Sequence, residues 1–570
     1  MLASYHEHQD ASFLQDIATI YPNSSEGTEN HTTSVSAVQA SYYMLDGLRS
    51  QKVLPVPELA GCRWEATEKG LLLYTQNSGI SFSKISFSGR DGLPIDKLNC
   101  VVQARDGTIW VGGVQGAARL RHGKWRYFAG KRWLPTDCVN SITVDEQNRA
   151  WISTDAGLSS IESVRMTLTE KASHYEQITA ARHNRDGFVT ECLLTVSGET
   201  ESFLYEASDN DGLWTALYLC AESFRWAVTQ DEDARNLARR SMRALLDLVR
   251  YTGIQGFPAR AMMRRYERAM QSEPLANWIS SPVDPDVLYK GDTSSDELDG
   301  HYLAWYVYSA LAADEAERKE IAETCRAVTN HLLDNNYTLV GQSGKRTSWG
   351  VWTPEVLNND PNWLADRGLN SLEMLSHLRV AMHLCPSPRF ENAYRELIEQ
   401  HHYAVNTIRQ KMLPPEADFN HSDDELAACA YYPLLQLEDR PELRALYLAS
   451  LERTYQCLRP QRSPFHNVLY GALTGRVCDR DSSVEWLQEA PFDLRDWTMR
   501  NSQRIDITFS TELDRFGLRQ LERPLPPSEI GVMKWNRNPY LADWEEEGMR
   551  EMDGAFWLLP YWMGRYHKIF

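Results

Sequence analysis

The segment KGDTSSDELDGHY, Lys290 to Tyr302, places one lysine, four acids and a histidine in thirteen positions where a helix-forming run begins. A helix start needs a capping oxygen and gains from one carboxylate near its positive end. Thr293, Ser294 and Ser295 supply the caps, which leaves Asp292, Asp296 and Glu297 surplus to local structure. Three other stretches are alike in kind: DNDGLW (Asp209 to Trp214), NNDPNWLADRGLNSLE (Asn358 to Glu373) and NHSDDE (Asn420 to Glu425). Capping boxes account for any one of them. The runs Asp296-Glu297 and Asp423-Asp424-Glu425 exceed what caps require.

Two chemistries need several carboxylates around one cavity. A glycosidase cleaves an acetal with one protonated and one ionised carboxyl. A magnesium site uses carboxylates as hard oxygen ligands, with water and substrate phosphate completing the shell. A lysine beside the acids can hold their charge or bind an anion shared with the metal. Further cations come from GFPARAMMRRY (Arg260, Arg264, Arg265) and KRTSWG (Lys345, Arg346), and metal plus cations describes a diphosphate pocket. The chain has 18 Trp and 26 Tyr, and Trp214, Trp278, Trp305, Trp349, Trp352, Trp363, Tyr431 and Tyr432 fall in or just after the acidic loops. Such rings stack on sugars or stabilise carbocations, and equally fill helical cores. For the sugar chemistry His301, His421 and His466 are candidate acids or bases.

These residues need a frame. Leu213, Leu217, Ala221, Phe224 and Val228 share one helical face, and Leu237, Leu245, Leu246 and Val249 mark a second helix. Pairs follow at 298–313 with 315–334, 369–384 with 389–412, and 423–437 with 441–457. Successive antiparallel hairpins predict an α/α helical barrel over 166–500, with the acidic loops before every second helix sharing one rim. Upstream, LPIDKLNCVVQARDGTIWVGGVQGAARL aligns with LPTDCVNSITVDEQNRAWISTDAGLSSI at an offset of forty-one residues, matching Trp110 to Trp151 and Gly116 to Gly157. These units resemble propeller repeats of the two-component-regulator type, but they are too few to close a ring. The predicted fold class is therefore α+β, mainly α. A loosely ordered arm (1–45) and a small β-domain (46–165) precede the barrel. A Pro- and aromatic-rich segment (501–570) packs back over it and lends Trp535 or Tyr561 to the rim.

Composition limits the function classes. With 42% hydrophobic and 24% charged residues in 570, the chain reads as globular, with room for two or three cores. No apolar run is long enough to span a bilayer, and the N-terminal residues lack a signal-peptide pattern, so a cytoplasmic location is expected. The ten cysteines form no CxxC pair and no Cys/His cluster at zinc spacing. A formal charge of −19 disfavours nucleic-acid binding. The phosphate-binding, dinucleotide, serine-esterase and zinc-protease signatures are missing.

The helical region, with Lys290 directly before GDTSSDE, resembles the noncanonical class I terpene cyclases of fungal tropolone-sesquiterpenoid pathways, the humulene synthase type. That resemblance implies Mg2+-dependent ionisation of farnesyl diphosphate, an isoprenoid diphosphate, with Lys290 as the diphosphate lysine. It makes Asp292, Asp296, Glu297, Asp423, Asp424 and Glu425 the best metal-ligand candidates, and the cations and aromatics named above, Arg260, Arg264, Arg346, Trp214, Trp278, Trp352 and Tyr431, are the candidate substrate contacts beside Lys290. A carbohydrate-active α/α toroid, glycoside hydrolase or polysaccharide lyase, is the alternative. A non-enzymatic binding module comes third, because it leaves the acid clusters without a cation or substrate.

Overall fold

The computed structural model describes residues 34–43, 62–77, 81–207, 210–270, 278–410, 420–533 and 537–570. Its longer helices are α1 (Leu168–Ile178), α2 (Asp211–Thr229), α3 (Glu232–Arg250), α4 (Ser295–Leu311), α5 (Glu315–Asp334) and α6 (Arg367–Leu384). They continue as α7 (Pro388–Glu399), α8 (His421–Leu437), α9 (Pro441–Leu458), α10 (Pro464–Thr474), α11 (Arg480–Glu489) and α12 (Ala555–Tyr566). Burial separates them into two kinds. The odd-numbered helices are amphipathic: on α3 the buried Ala234, Ala238, Met242, Leu245 and Val249 recur at helical spacing. The even-numbered helices are buried nearly all round, as on α4 from Ser295 through Ser309.

The even helices form a closed circuit. Helix α2 packs on α4, α4 on α6, α6 on α8, α8 on α10, α10 on α12, and α12 returns to α2. Each odd helix backs one or two of them from outside. Their N-terminal ends lie together: a Cβ on Gly212 would sit 3.1 Å from Glu297 Cγ, His377 bonds Asp299, and His421, His466 and Phe556 line one cavity. The α2–α4 crossing depends on a missing side chain. A Cβ on Gly300 would meet Gly212 O and Leu213 Cα at 2.8 Å each, both backbone atoms that cannot swing aside. Helix propensity alone would make Gly300→Ala stabilising by about 1 kcal/mol. We expect the opposite sign, a loss of about 1–3 kcal/mol from overpacking, read as a lowered denaturant midpoint.

The strands form small separate sheets. Strands β1 (Ser34–Tyr43), β2 (Cys62–Thr67), β3 (Gly70–Asn77), β4 (Ser81–Phe87), β5 (Leu98–Gln103), β6 (Ile109–Gly113), β7 (Gly116–Arg121), β8 (Lys124–Phe128), β9 (Val139–Val144), β10 (Ala150–Thr154) and β11 (Gly157–Thr167) precede the helices. They pair antiparallel as β2-β3-β4, β5-β6-β7-β8 and β1-β11-β10-β9. The forty-one-residue offset is a repeat of structure: Trp110 lies on β6 and Trp151 on β10, each on the strand before the one that Gly116 or Gly157 opens. Gly116 has φ +111°, and a Cβ there would strike Phe128 O at 2.7 Å.

Later come β12 (Asn184–Arg185) with β13 (Phe188–Val189), β14 (Cys192–Val196), β15 (Glu199–Tyr205), β16 (Ala261–Arg264), β17 (Ile279–Ser280), β18 (Val287–Lys290), β19 (Thr338–Val340) and β20 (Arg346–Val351). The last are β21 (Arg495–Arg500), β22 (Phe509–Leu513), β23 (Arg519–Leu521) and β24 (Asp543–Glu551). Their sheets run β15-β14-β24-β21 and β16-β18-β17, with hairpins β12-β13, β19-β20 and β22-β23. The architecture is mixed α and β, mainly helical.

Two predicted boundaries move. Most of the expected arm 1–45 lies outside the described residues, but Ser34 to Tyr43 form β1 and pair with β11 along their whole length, from Ser34↔Thr167 to Tyr43↔Leu158. The segment 501–570 does not simply cover the helices. Its α12 completes the circuit, and its Ile530 and Trp544 share a core with Trp110 of the repeats and with the neighbouring Trp133. Tyr561 is buried, with its hydroxyl 2.8 Å from Thr169 Oγ1, so it is a core residue rather than a rim residue. Trp535 lies outside the described residues. Among the described residues, no helix is long and apolar enough to cross a membrane.

Candidate active site at the helix-start rim

Short polar connections deliver the acids to the rim. Strand β18 ends at Lys290, and a capping box then starts α4: Ser294 N and Oγ donate to Glu297 Oε2 at 2.7 and 2.8 Å. Glu297, predicted to be surplus, is thus a cap, and it is fully buried. Asp292 faces the β19-β20 hairpin and accepts from Ser348 N and Oγ at 2.8 and 2.9 Å. Asp296 Oδ2 accepts from Asn210 Nδ2 at 2.8 Å. Arg260 ties the two regions, donating to Asp292 O at 3.0 Å and Asn210 Oδ1 at 3.1 Å. At the start of α8, Asp423 Oδ1 accepts from Asn420 Nδ2 at 2.6 Å, and Asp424 Oδ2 lies 3.9 Å from His421 Nδ1. Glu425 lines a cavity with His421, His466, Trp486 and Phe556.

Electrostatics shows that these acids share a space. Burial raises the Asp296 carboxyl, with Arg260 opposing. Burial, then the charge of Asp296, holds Glu297 well above the usual range. Deeper on α4, Asp299 is raised by burial and then by Glu373 of α6, with smaller contributions from Asp296 and Glu297. Glu373 is pushed up to about 8, first by burial and then by Asp296 and Asp423, against hydrogen bonds from Trp352 and Asp299. Acids of α4 and α6 therefore act on one another, and Asp423 of α8 acts on Glu373.

The deepest part of this cluster is a hydrogen-bonded set of which the sequence reading singled out only Trp352. Trp352 Nε1 donates to Glu373 Oε2 at 2.7 Å. His377 Nε2 lies 2.9 Å from Asp299 Oδ1. Burial lowers the His377 imidazole to about 3, so it is neutral and the contact is not an ion pair. Its ring stacks on Tyr302 at 4.3 Å. Asp299 and Glu373 both fall inside the quoted acidic stretches, and Glu373 and His377 stand four apart on one helix face. That spacing was the available signal.

This pair gives stability a pH dependence. The folded chain binds a proton at Glu373 more tightly than an unfolded chain, whose ordinary value is 4.5. Between that value and about 8 the folded state holds more protons, so stability falls as pH rises, by about 1.4 kcal/mol per pH unit per proton. Glu373→Gln keeps an acceptor for Trp352 and cannot ionise. Its unfolding free energy is expected to vary less steeply over this window than that of the parent chain, measured by denaturant titration at a series of pH values.

Other predicted site residues lie elsewhere. Lys290 is buried, with Nζ 5.2 Å from the ring centroid of Trp278. Arg264 turns to Asp186 and Asp284, at 3.8 and 3.6 Å. Arg346 is exposed at the start of β20. Tyr431 faces the outer helix α9, 2.6 Å from Ser450 Oγ. Trp214 packs against the main core, and Trp352 is wholly buried at Glu373. His301 has both ring nitrogens on carbonyl oxygens, of Glu297 at 2.6 Å and Leu245 at 3.2 Å, which leaves neither for a substrate. Asp211 is ion-paired to Arg185 at 2.9 Å, and Asp209 lies outside the described residues. None of the six predicted metal ligands belongs to the one group of His, Cys and acid atoms that meets at metal-binding distance among the described residues.

No family model matches the sequence, and no curated protein matches it. A solved structure described as the crystal structure of a family 76 glycoside hydrolase from a bovine Bacteroides thetaiotaomicron strain matches over 89% of this chain and 98% of its own. The TM-score is 0.37 and the identity 9%, too low to establish a shared fold. The terpene-cyclase expectation, with its farnesyl diphosphate substrate, is corrected here: Lys290, its diphosphate lysine, is buried over the Trp278 ring. The residues that carried the resemblance are also engaged otherwise, Asp292 by Ser348 and Glu297 by its cap. The repeat-family resemblance likewise finds no matching family model.

Proposed function

We propose that the chain is a carbohydrate-active enzyme built on an α/α barrel, cleaving a glycosidic bond at the rim where the even-numbered helices start. One observation carries this reading: buried carboxyls of α4 and α6 raise one another's affinity for protons, and Asp423 of α8 adds to the raising of Glu373. Glycoside cleavage needs one carboxyl that keeps its proton near neutral pH beside one that is ionised. Asp296 is the proton donor, since burial raises it and it stands nearest the open side of the cluster on α4. It protonates the leaving oxygen of the glycosidic bond. Asp423, on the facing start of α8, is the ionised partner that activates water or attacks the anomeric carbon. Asp299, Glu373 and His377 lie beneath the pair. Trp349, 58% exposed, offers a flat face for a sugar ring beside Ser348, the residue that Asp292 fixes.

The test is hydrolysis of a panel of aryl glycosides and oligosaccharides by the purified chain, read as released phenol or reducing ends. Activity on at least one member, unchanged by added magnesium, is expected. A folded chain that cleaves nothing in the panel, or that needs magnesium, sinks the reading.

A further inference from the structure

Away from the rim, three side chains of metal-ligating type converge among the described residues: His183 at the end of the helical turn after α1, Cys192 on β14 and Glu551 on β24. All are buried, at 0%, 0% and 2% exposure. Their ligand atoms lie within 4.8 Å of one another. His183 Nε2 is 3.4 Å and Cys192 Sγ 3.9 Å from the same oxygen, Glu551 Oε2. A tetrahedral zinc ion with its usual bond lengths separates neighbouring N, O and S ligands by about 3.3–3.6 Å. The separations from Glu551 Oε2, 3.4 and 3.9 Å, are thus close to those of a filled site.

The ligands are also oriented for the task. His183 Nδ1 is 2.8 Å from Thr190 O, which fixes the proton on Nδ1 and turns the Nε2 lone pair toward the cluster. Nε2 itself is buried without a hydrogen-bond partner. Arg182 holds Glu551 with both oxygens, Nε donating to Oε2 at 2.5 Å and Nη2 to Oε1 at 2.8 Å, so Oε2 keeps its second lone pair for the cluster. That arginine does not exclude a cation. A divalent ion with one thiolate and one carboxylate is neutral, and Arg182, 21% exposed, keeps its own charge near solvent.

We propose that His183, Cys192 and Glu551 form a structural site for a divalent transition ion of zinc's class, which fastens β14 and β24 to the turn that follows α1. Imidazole, thiolate and carboxylate together suit a borderline-soft ion better than magnesium or calcium. On binding, the Cys192 thiol releases its proton to solvent and the sulfur becomes the ligand. Cys192 and Glu551 are 359 positions apart, so no local spacing could announce the site.

Cobalt(II) is the probe, because a thiolate ligand gives it a near-ultraviolet charge-transfer band and tetrahedral geometry gives it intense visible absorption. The full chain, stripped with a chelator and titrated with cobalt, is expected to show both, saturating at a single site and displaced by zinc. Cys192→Ser is expected to lose the charge-transfer band, and His183→Gln to weaken binding at least tenfold, with circular dichroism reporting that each variant folds. Should Cys192→Ser fail to fold, His183→Gln and the parent spectrum decide. A parent chain that binds no cobalt, a spectrum without the thiolate band, or a folded His183→Gln that binds as well as the parent overturns the proposal.

Discussion

Asp296→Asn is expected to slow glycoside hydrolysis by about 10²–10⁴-fold, the usual contribution of a positioned general acid. The substitution changes little else. Asparagine keeps the shape and one oxygen that can accept from Asn210 Nδ2, now 2.8 Å away. What disappears is the transferable proton, which asparagine cannot supply. The loss should fall on kcat more than KM, because protonation of the leaving oxygen happens in the transition state. Substrates with a good leaving group, such as dinitrophenyl glycosides, should lose least, since they need the proton least. A uniform loss across leaving groups would place the donor elsewhere, and an unchanged rate would remove Asp296 from the chemistry.

Arg185→Met should cost about 3–5 kcal/mol of stability, the range for breaking a buried ion pair from one side. Arg185 is 3% exposed and lies between two buried acids, 2.9 Å from Asp211 Oδ2 and 3.3 Å from Glu267 Oε1. Its guanidinium also stands 4.9 Å over the Phe188 ring. Methionine fills part of the volume and leaves both carboxylates without their cation. Neutralising them as well, in the triple variant with Asp211→Asn and Glu267→Gln, should restore much of the loss. Denaturant midpoints of the single and triple variants measure this. If the single variant loses under 1 kcal/mol, the trio does not bind α2 to β12 as described.

The helical half was legible because its signal is local. Apolar residues at 3.6 spacing marked α2 and α3, and hairpin succession implied a ring with acid-bearing starts at one end. The inner helices were harder, since buried surroundings on every side erase the polar face that gives a helix its period. Helix α12 was missed for that reason: FWLLPYWMG is apolar throughout, with a proline inside. At the site, the paired acids were visible and their separate duties were not. Glu297 as a cap, Asp292 as a hairpin clamp and Asp211 as an ion-pair partner are choices made by residues far away in sequence. The Lys290 motif read as anion chemistry, whereas the folded lysine lies over an indole. Asp299 and Glu373 stand next to each other only because α4 packs on α6.

The return of α12 to α2 has a consequence for synthesis. The partner that covers this face of α2 lies more than three hundred residues downstream, so a nascent chain holds Leu213, Leu217 and their neighbours without their final cover until the last inner helix emerges. At about 5–20 residues per second that interval is roughly twenty to seventy seconds. During it the growing helices form an open arc whose apolar flank is a natural client for a chaperone. Emergence of α12, not the making of any single helix pair, sets the moment at which the ring can shut.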